Sequence, residues 1–157
     1  MYCLLLQYIL SRNRMGHGPN EKGMIMMACA EKFGAGAVRN ILRHNRREIE
    51  HSSNHDIDPK RLERDYILSP DRGMTEYDYF LQRKSELYCY NRDDVKVMAG
   101  WVVTAPQDLD PERYDVFFCA TYDFLANRYG EENVVQAIVH DDEGGQPHLH
   151  FCFIPVE

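Results

Sequence analysis

The chain has 157 residues, of which 44% are hydrophobic and 27% charged, and its formal net charge at pH 7 is −7. This length and composition suit one soluble domain with its own core. The five cysteines are dispersed without a CxxC pair, and no apolar run reaches the roughly 18 residues that span a membrane, so we expect a reduced, cytoplasmic protein without membrane contact.

Basic and acidic residues are distributed unevenly along the chain. Residues 1–47 contain eight Lys and Arg against two acids, whereas residues 48–157 contain ten against twenty-three. Net acidity disfavours nucleic acid as a partner on average, and a charge run is commonly a solvated face. Two interpretations of the early basic segment therefore remain: a solvated face and an anion-binding face. Its arginines are Arg39, Arg43, Arg46 and Arg47.

The first predicted elements follow an apolar start and a polar stretch. Residues 1–22 lack the basic region and cleavage site of a signal peptide, so we expect an N-terminal extension, with the domain beginning at residue 23. Residues 23–30 predict a buried strand, and residues 37–50 predict a helix. One stripe of that helix contains Val38, Ile41, Leu42, Asn45 and Ile49. Asn45 in this stripe needs a buried partner, and His44 flanks the stripe.

Strands and helices alternate through the rest of the chain. The patterns predict an ordered loop at 51–61, a strand at 64–69, a helix at 74–88 and a strand at 95–106. The clearest helix has Asp110 as its N-cap, then Pro111, and ends before Gly130. Two strands, NVVQAIVH and PHLHFCFIPV, close the chain. This order indicates an α+β fold with a mainly antiparallel central sheet packed with helices.

The stretch HDDEGGQPHLHF, residues 140–151, contains three of the seven histidines. Side chains alternate along a strand, so His148 and His150 share a face, and the Gly-Gly and Pro before them predict a turn that brings His140 alongside. Three such imidazoles can bind a metal and leave positions open for substrate or water. Glu143 in the turn could be a fourth ligand, a hydrogen-bond acceptor or a base. The alternative is a hairpin with surface histidines.

A pair of histidines around one hydrophobic residue is the usual ligand pair of HUH nucleases. In these enzymes a metal polarises the scissile phosphate while a side chain attacks phosphorus. Most use tyrosine, and the long predicted helix carries Tyr114, Tyr122 and Tyr129, each of which could equally be a packing residue. The other candidate nucleophile is His44.

Three motifs follow one another along the chain. The first is His44-Asn45-x-Arg47, then Ser53-Asn54-x-Asp56-Ile57-x-Pro59-x-Arg61 and Tyr66. The second is Trp101-Val102-Val103-Thr104, and the third is His140-x-Asp142-Glu143, then Pro147-His148-x-His150 and Pro155. With these motifs, residues 24–156 resemble the MobV-type relaxases, the Mob/Pre plasmid mobilisation and recombination proteins. The third motif has one additional residue after Glu143, and Asp65 stands where the family has Asn.

The resemblance implies site- and strand-specific nicking of single-stranded or supercoiled DNA at the origin of transfer of a plasmid or mobile element. The implied nucleophile is His44, which would remain joined to the 5′ end of the cut strand through a phosphoramidate bond. The implied metal ligands are His140, His148 and His150, with Glu143 beside them. Glu143 would hold the second nitrogen of His44 or accept its proton, and Arg47 would stabilise charge on the phosphorus. Three imidazoles alone would favour Zn, Ni or Co over Mg²⁺, whereas family members use Mn²⁺ or Mg²⁺. We therefore rank Mn²⁺ first, as a compromise between the ligand type and what the resemblance implies.

The resemblance also gives the basic segment a role, because its arginines would contact phosphates and position DNA without reading bases. The expected DNA-binding residues are Arg39, Arg43, Asn45, Arg46, Arg47, Asn54, Arg61 and Tyr66. Family members continue beyond this length, with a C-terminal region linked to dimerisation and membrane association. We therefore expect residues 23–157 to be a C-terminally truncated catalytic domain, with any homodimer formed through the missing region.

Two other functions remain open from the sequence. One is an HUH endonuclease with Tyr122 or Tyr129 as its nucleophile, as in replication initiators or transposases. Its adduct would resist acid, whereas a phosphoramidate is acid-labile. The other is a non-catalytic DNA-binding remnant of a relaxase. A stop codon after Glu157 would favour a truncated gene product.

Overall fold

The computed structural model describes residues 28–49, 55–90 and 92–156. These ranges contain five strands, β1 (Ala28–Gly34), β2 (Tyr66–Ile67), β3 (Lys96–Thr104), β4 (Val134–His140) and β5 (His148–Phe153). They also contain three α-helices, α1 (Ala35–Asn45), α2 (Glu76–Ser85) and α3 (Tyr114–Tyr129). Short 3₁₀ turns lie at Leu62–Arg64, Pro111–Arg113 and Glu131–Asn133.

The strands form one sheet in the order β1-β3-β5-β4-β2, and every neighbouring pair is antiparallel. The hairpin of β4 and β5 occupies the middle of the sheet and places His140 opposite His148 and Ile138 opposite His150. This topology confirms the predicted α+β fold with a mainly antiparallel sheet.

The two faces of the sheet pack against different helices, because side chains alternate along each strand. Leu149, Phe151 and Phe153 join the buried aromatic residues of α3 in one core cluster. Cys152 joins α1 and α2 in a second cluster around Val38, Leu42, Phe80 and Met98. We call the first side the α3 face, and we call the side that bears His148, His150 and Cys152 the histidine face. Each fully buried Phe or Leu contributes about 1.5–3 kcal/mol to these cores.

Helix α1 begins two residues earlier than predicted and ends at Asn45 rather than residue 50. The backbone N–H of Arg47 donates to the carbonyl of His44 at 3.0 Å, and Arg47 has a φ of 58°, which places it in the left-handed region and stops the helix. Ile49, predicted as part of the helical stripe, therefore lies beyond the helix. Of the other predicted stripe positions on α1, Ile41 is half-buried and three are buried: Val38, Leu42 and Asn45.

Two further predictions are revised at element boundaries. The first strand was expected to be buried and to span residues 23–30, of which 23–27 lie outside the described ranges. The observed strand β1 extends to Gly34 and lies at the edge of the sheet. Its middle is exposed because only β3 pairs with it. The Asp110 carboxylate accepts from the N–H of Glu112 at 3.0 Å, so the predicted cap begins a 3₁₀ turn that leads into α3.

Among the residues described, no helix has the length and apolar character needed to cross a membrane.

Candidate metal centre

Three imidazoles converge on the histidine face at the end of the β4–β5 hairpin. The ring centroids of His140, His148 and His150 are 5.4, 4.7 and 5.0 Å apart, for the pairs 140–148, 140–150 and 148–150. One ring nitrogen from each lies within 4.8 Å of the other two. The hairpin thus brings together the three predicted ligands, as strand alternation requires.

His140 has one ring nitrogen engaged and one without a partner. Its Nε2 lies 2.8 Å from the backbone carbonyl oxygen of Asn45, so Nε2 carries the hydrogen and donates it. Its Nδ1 is buried and has no hydrogen-bond partner in the described part of the chain. An unpaired buried acceptor is costly, and a cation bound at Nδ1 would satisfy it. The residues present therefore fit a divalent metal.

Burial keeps two of these imidazoles in the neutral form that binds metals. Burial lowers the pKa of His140 to about 4, with the charge of Arg47 adding to the effect. Burial also lowers the pKa of His150 to about 2, assisted by the neighbouring imidazoles of His140 and His148. At neutral pH both rings offer a lone pair without first losing a proton.

Glu143 lies at the edge of the cluster, between a histidine and an arginine. Its Oε2 is 3.8 Å from Nε2 of His148, and its Oε1 accepts from Nη2 of Arg47 at 2.8 Å. Glu143 also forms a second group of potential ligands with His140 and Asp142. Its position suits each of the predicted roles of ligand, acceptor or base.

Arg47 faces three carboxylates, those of Asp142, Glu143 and Asp65, the last with an oxygen 3.9 Å from Nε. Its Nε and Nη2 donate to the two oxygens of Asp142 at 2.7 and 2.6 Å, in addition to the bond from Nη2 to Glu143. The Arg47 side chain is only 11% exposed. Burial would raise the pKa of Asp142, but the hydrogen bonds from Arg47 outweigh it and the pKa is lowered. The predicted phosphate contact of Arg47 therefore competes with this pair.

His44 lies on the last turn of α1 and is half-buried. The electrostatic influence of His44 is the smallest of the causes that lower the pKa of His150, after burial and the other neighbouring groups. The next residue, Asn45, accepts the hydrogen bond from His140. The predicted nucleophile therefore lies on the last turn of the helix that the histidine cluster contacts through the Asn45 carbonyl.

The tyrosines of α3 occupy the opposite face of the sheet. Tyr122 belongs to the core cluster of the α3 face, and its hydroxyl lies 3.5 Å from Oε1 of Glu131. The hydroxyl of Tyr129 accepts from Nε1 of Trp101 at 3.0 Å, and its ring stacks on Phe153. The sheet therefore separates both tyrosines from the three histidines, which disfavours either as a nucleophile at this centre.

Three of the predicted DNA-binding arginines are exposed, two on α1 and the third, Arg46, directly after its last residue. The Arg39 guanidinium lies 5.2 Å from the centre of the Tyr77 ring. Arg43 donates to the carbonyl of Glu48 at 3.4 Å, and Arg46 forms an ion pair with Glu76 on α2, with Nε at 2.6 Å from Oε1. These arginines are accessible to a phosphate backbone, although two of them have acidic partners nearby.

Other predicted DNA-binding residues lie elsewhere. Asn45 is 3% exposed and donates to Oε1 of Gln136 at 3.0 Å, so DNA cannot reach it in this conformation, and the buried partner that its position requires is Gln136. Tyr66 pairs with Val139 and so lies on the α3 face, where burial raises its pKa to about 12. Arg61 donates to Asp141 at 2.8 Å and to the carbonyl of Glu143 at 3.0 Å. Asn54 lies outside the described residues.

Sequence reasoning missed three polar residues around the centre. Asp142 is fully buried, Gln136 donates from Nε2 to the carbonyl of Leu42 at 3.0 Å, and Asp65 accepts from the N–H of Asp141 at 2.8 Å. Burial raises the pKa of Asp65 to about 6, and the charge of Asp142 adds to the rise. The only sequence signal for these three residues was their position: Gln136 lies in a strongly apolar strand, and Asp142 and Asp65 lie within or next to the motifs.

The antiparallel sheet packed with helices matches the fold of a relaxase domain. The family profile of plasmid recombination enzymes matches residues 23–157. The chain belongs to this Mob/Pre family.

Individual relatives agree. The chain is 33% identical over 141 residues to a plasmid recombination enzyme of Streptococcus agalactiae, covering 84% of this chain and 28% of the relative. It is 32% identical over 138 residues to the type 1 enzyme of Staphylococcus aureus, covering 83% and 34%. The chain thus spans less than two thirds of the length of these relatives. A Mn-bound crystal structure of a MobM relaxase domain (MOBV) with plasmid oriT DNA, at pH 6.8, matches with a TM-score of 0.70 and 33% identity, over 83% of this chain and 70% of that one.

Proposed function

We propose that this domain nicks one strand of DNA at the origin of transfer of a plasmid or mobile element and becomes covalently attached to the cut strand through His44. The observation that carries the proposal is the buried Nδ1 of His140, which has no partner among the described residues, within a three-histidine cluster that is hydrogen-bonded to the end of α1 at Asn45, next to His44. Relaxase domains of similar fold that bind oriT DNA and Mn support it.

A divalent ion, with Mn²⁺ ranked before Mg²⁺, would bind the three histidines and polarise a non-bridging oxygen of the scissile phosphate. His44, in its neutral form, attacks phosphorus with one ring nitrogen. The P–N bond forms as the P–O3′ bond breaks, so the cut leaves a 3′-hydroxyl, protonated from solvent, and a 5′-phosphoramidate on the protein. The main requirement for such a step is that the protein holds the attacking nitrogen in near contact with the phosphorus.

Glu143 is the acceptor in this proposal. The hydrogen on the second nitrogen of His44 must move to a base or be held by one as positive charge develops on the ring. Glu143 lies at the edge of the cluster, with its Oε2 3.8 Å from Nε2 of His148, and it is held by Arg47, which follows His44 by three residues. The guanidinium of Arg47 adds positive charge beside the reacting phosphate.

The exposed arginines of α1 contact the DNA backbone on either side of the cut. Arg39, Arg43 and Arg46 lie on or directly after the helix that ends beside His44, so phosphates bound there hold the strand next to the nucleophile.

Homodimer formation through a C-terminal region is a separate proposal, and light scattering on a chain of the relatives' full length tests it.

Supercoiled plasmid carrying the cognate origin, incubated with the protein and Mn²⁺, tests the proposal. We expect open-circular plasmid and an acid-labile DNA–peptide adduct that mass spectrometry maps to His44. His44→Ala should bind DNA and Mn²⁺ but form no adduct, whereas the matched variants Tyr122→Phe and Tyr129→Phe should form it. An acid-stable adduct that persists in His44→Ala would move the protein to the tyrosine class. DNA binding without any cleavage would support the non-catalytic remnant.

A further inference from the structure

We propose that Asp142 is a positioning residue of the nicking reaction: by fixing the guanidinium of Arg47, it aligns Glu143 beside the histidine cluster and beside the end of α1. The inference rests on the proposed function. Asp142 is fully buried, and its two carboxylate oxygens both accept hydrogen bonds from Arg47.

The fork between Arg47 and Asp142 joins parts of the chain that are 95 residues apart. Two parallel N–H···O bonds of 2.6 and 2.7 Å fix both the distance and the plane of the guanidinium. With that plane fixed, the third bond, from Nη2 to Oε1 of Glu143, has one direction available. Asp142 therefore controls the carboxylate of Glu143 without touching it through its own side chain.

Asp142 also holds a second segment. Its backbone carbonyl accepts from the N–H of Asp58 at 2.7 Å, so the loop after α1 is tied to the same turn. Next to it, Arg61 bonds the carbonyl of Glu143 and the carboxylate of Asp141. The turn that carries Glu143 is thus held from several directions, and Asp142 is the buried residue among its acids.

A direct role as a metal ligand fits Asp142 less well. It forms a potential ligand group with His140 and Glu143, but both of its oxygens accept short bonds from Arg47. Coordination would have to use the remaining lone pair of an oxygen already bonded to Arg47, and the guanidinium charge beside that oxygen, in a mostly buried place, would oppose a cation there. The geometry favours alignment of neighbours over coordination.

The backbone of Arg47 carries the second sign of this arrangement. Arg47 has a φ of 58°, a conformation that favours glycine. An arginine there costs about 1–2 kcal/mol relative to the right-handed region, and its three bonds to carboxylates offset that cost. Because Arg47 follows His44 by three residues, the same fork sets the turn immediately after the nucleophile.

Asp142→Asn tests the inference, because it keeps the size of the side chain and replaces one acceptor with a donor that faces Arg47. We expect the maximal rate of adduct formation, at saturating origin DNA and Mn²⁺, to fall about 10- to 100-fold. The dissociation constant for the same DNA should change by less than about twofold, since Asp142 contacts no DNA. In the metal-free protein, amide hydrogens of residues 141–146 should exchange faster.

Two variants accompany it. Glu86→Gln removes the acidic partner of Arg83, a 2.8 Å ion pair at the exposed end of α2, and should leave rate and exchange unchanged. Arg47→Lys keeps the positive charge but cannot form the two parallel hydrogen bonds to Asp142. We expect it to lower the maximal rate of adduct formation as Asp142→Asn does. Arg47→Lys therefore still tests the inference if Asp142→Asn does not fold. Equal maximal rates in wild type and both variants, or unaltered exchange in Asp142→Asn, would overturn the inference alone. Absence of an adduct in the wild type would count against the proposed function.

Discussion

Nε2 of His140 lies 2.8 Å from the backbone carbonyl oxygen of Asn45, the residue that follows His44. One hydrogen bond therefore connects the hairpin that carries the three histidines to the end of α1. The side chain of Asn45 adds a link to Gln136, and Gln136 in turn donates to the carbonyl of Leu42. These bonds fix the helix end, and with it His44, relative to the histidine cluster.

Asn45→Ala should destabilise the domain. The change leaves the amide oxygen of Gln136 without its donor in a buried place, so we expect the free energy of unfolding to fall by about 1–3 kcal/mol, measured by urea denaturation. Asn40→Ala, at an exposed position of the same helix, is the matched control and should change it by less than about 0.5 kcal/mol. Equal losses in the two variants would contradict the structural role of Asn45.

His150→Ala should abolish binding of Mn²⁺. It removes one of three nitrogen ligands, and the two remaining imidazoles cannot hold the ion at micromolar concentration; calorimetric titration of the metal-free protein measures this. The wild type should bind one ion. The exposed His55, for which no role is proposed, provides the control His55→Ala, expected to bind as the wild type does. Retained affinity in His150→Ala would remove His150 from the ligand set.

Arg43→Gln should weaken binding to all DNA equally. An arginine that contacts a phosphate carries no base preference, so affinity for origin and unrelated DNA should fall together, and the slope of log affinity against log salt should decrease by about one. Fluorescence anisotropy at several salt concentrations measures both. Arg128→Gln removes the same charge from α3, on the opposite face, and should have no such effect. A loss confined to origin DNA would indicate base recognition by Arg43.

Asp65→Asn should stabilise the protein increasingly as pH rises. Burial raises the pKa of Asp65 from 3.8 to about 6 in the folded protein, so folding favours the protonated carboxyl. That contribution is complete below about pH 4 and is lost as pH rises through about 6, whereas the amide of Asn has no proton to lose. Thermal unfolding of the two proteins between pH 4 and pH 8 measures the difference. Asp94→Asn, in an exposed loop, controls for net charge. A difference in Tm that shrinks with rising pH would show that Asp65 stays ionised in the fold.

The sequence predicted the local part of the centre and missed the distant part. Strand alternation and a turn of seven residues are enough to bring His140 beside His148 and His150, because all three belong to one hairpin. A buried partner for Asn45 followed from its apolar stripe. That the partner is Gln136, 91 positions away, does not follow from either segment alone.

The same limit explains the end of α1. The apolar periodicity continues to Ile49, so the pattern predicts a longer helix than the one observed. The helix ends earlier because Arg47 turns into the left-handed region and reaches Asp142 on the hairpin. Local propensity cannot register a contact between residues so far apart in the chain, and the tertiary ion pair overrides it.

Because Arg47 has a left-handed backbone, a substitution at this position that raises thermal stability would also remove a side chain that the proposed reaction uses. Glycine there would relieve about 1 kcal/mol of backbone strain, and a search for thermostable variants would select it early. The same exchange would delete the guanidinium that holds Asp142 and Glu143. Engineering a hardier version of this domain should therefore leave residue 47 alone and seek its gains on the α3 side of the sheet.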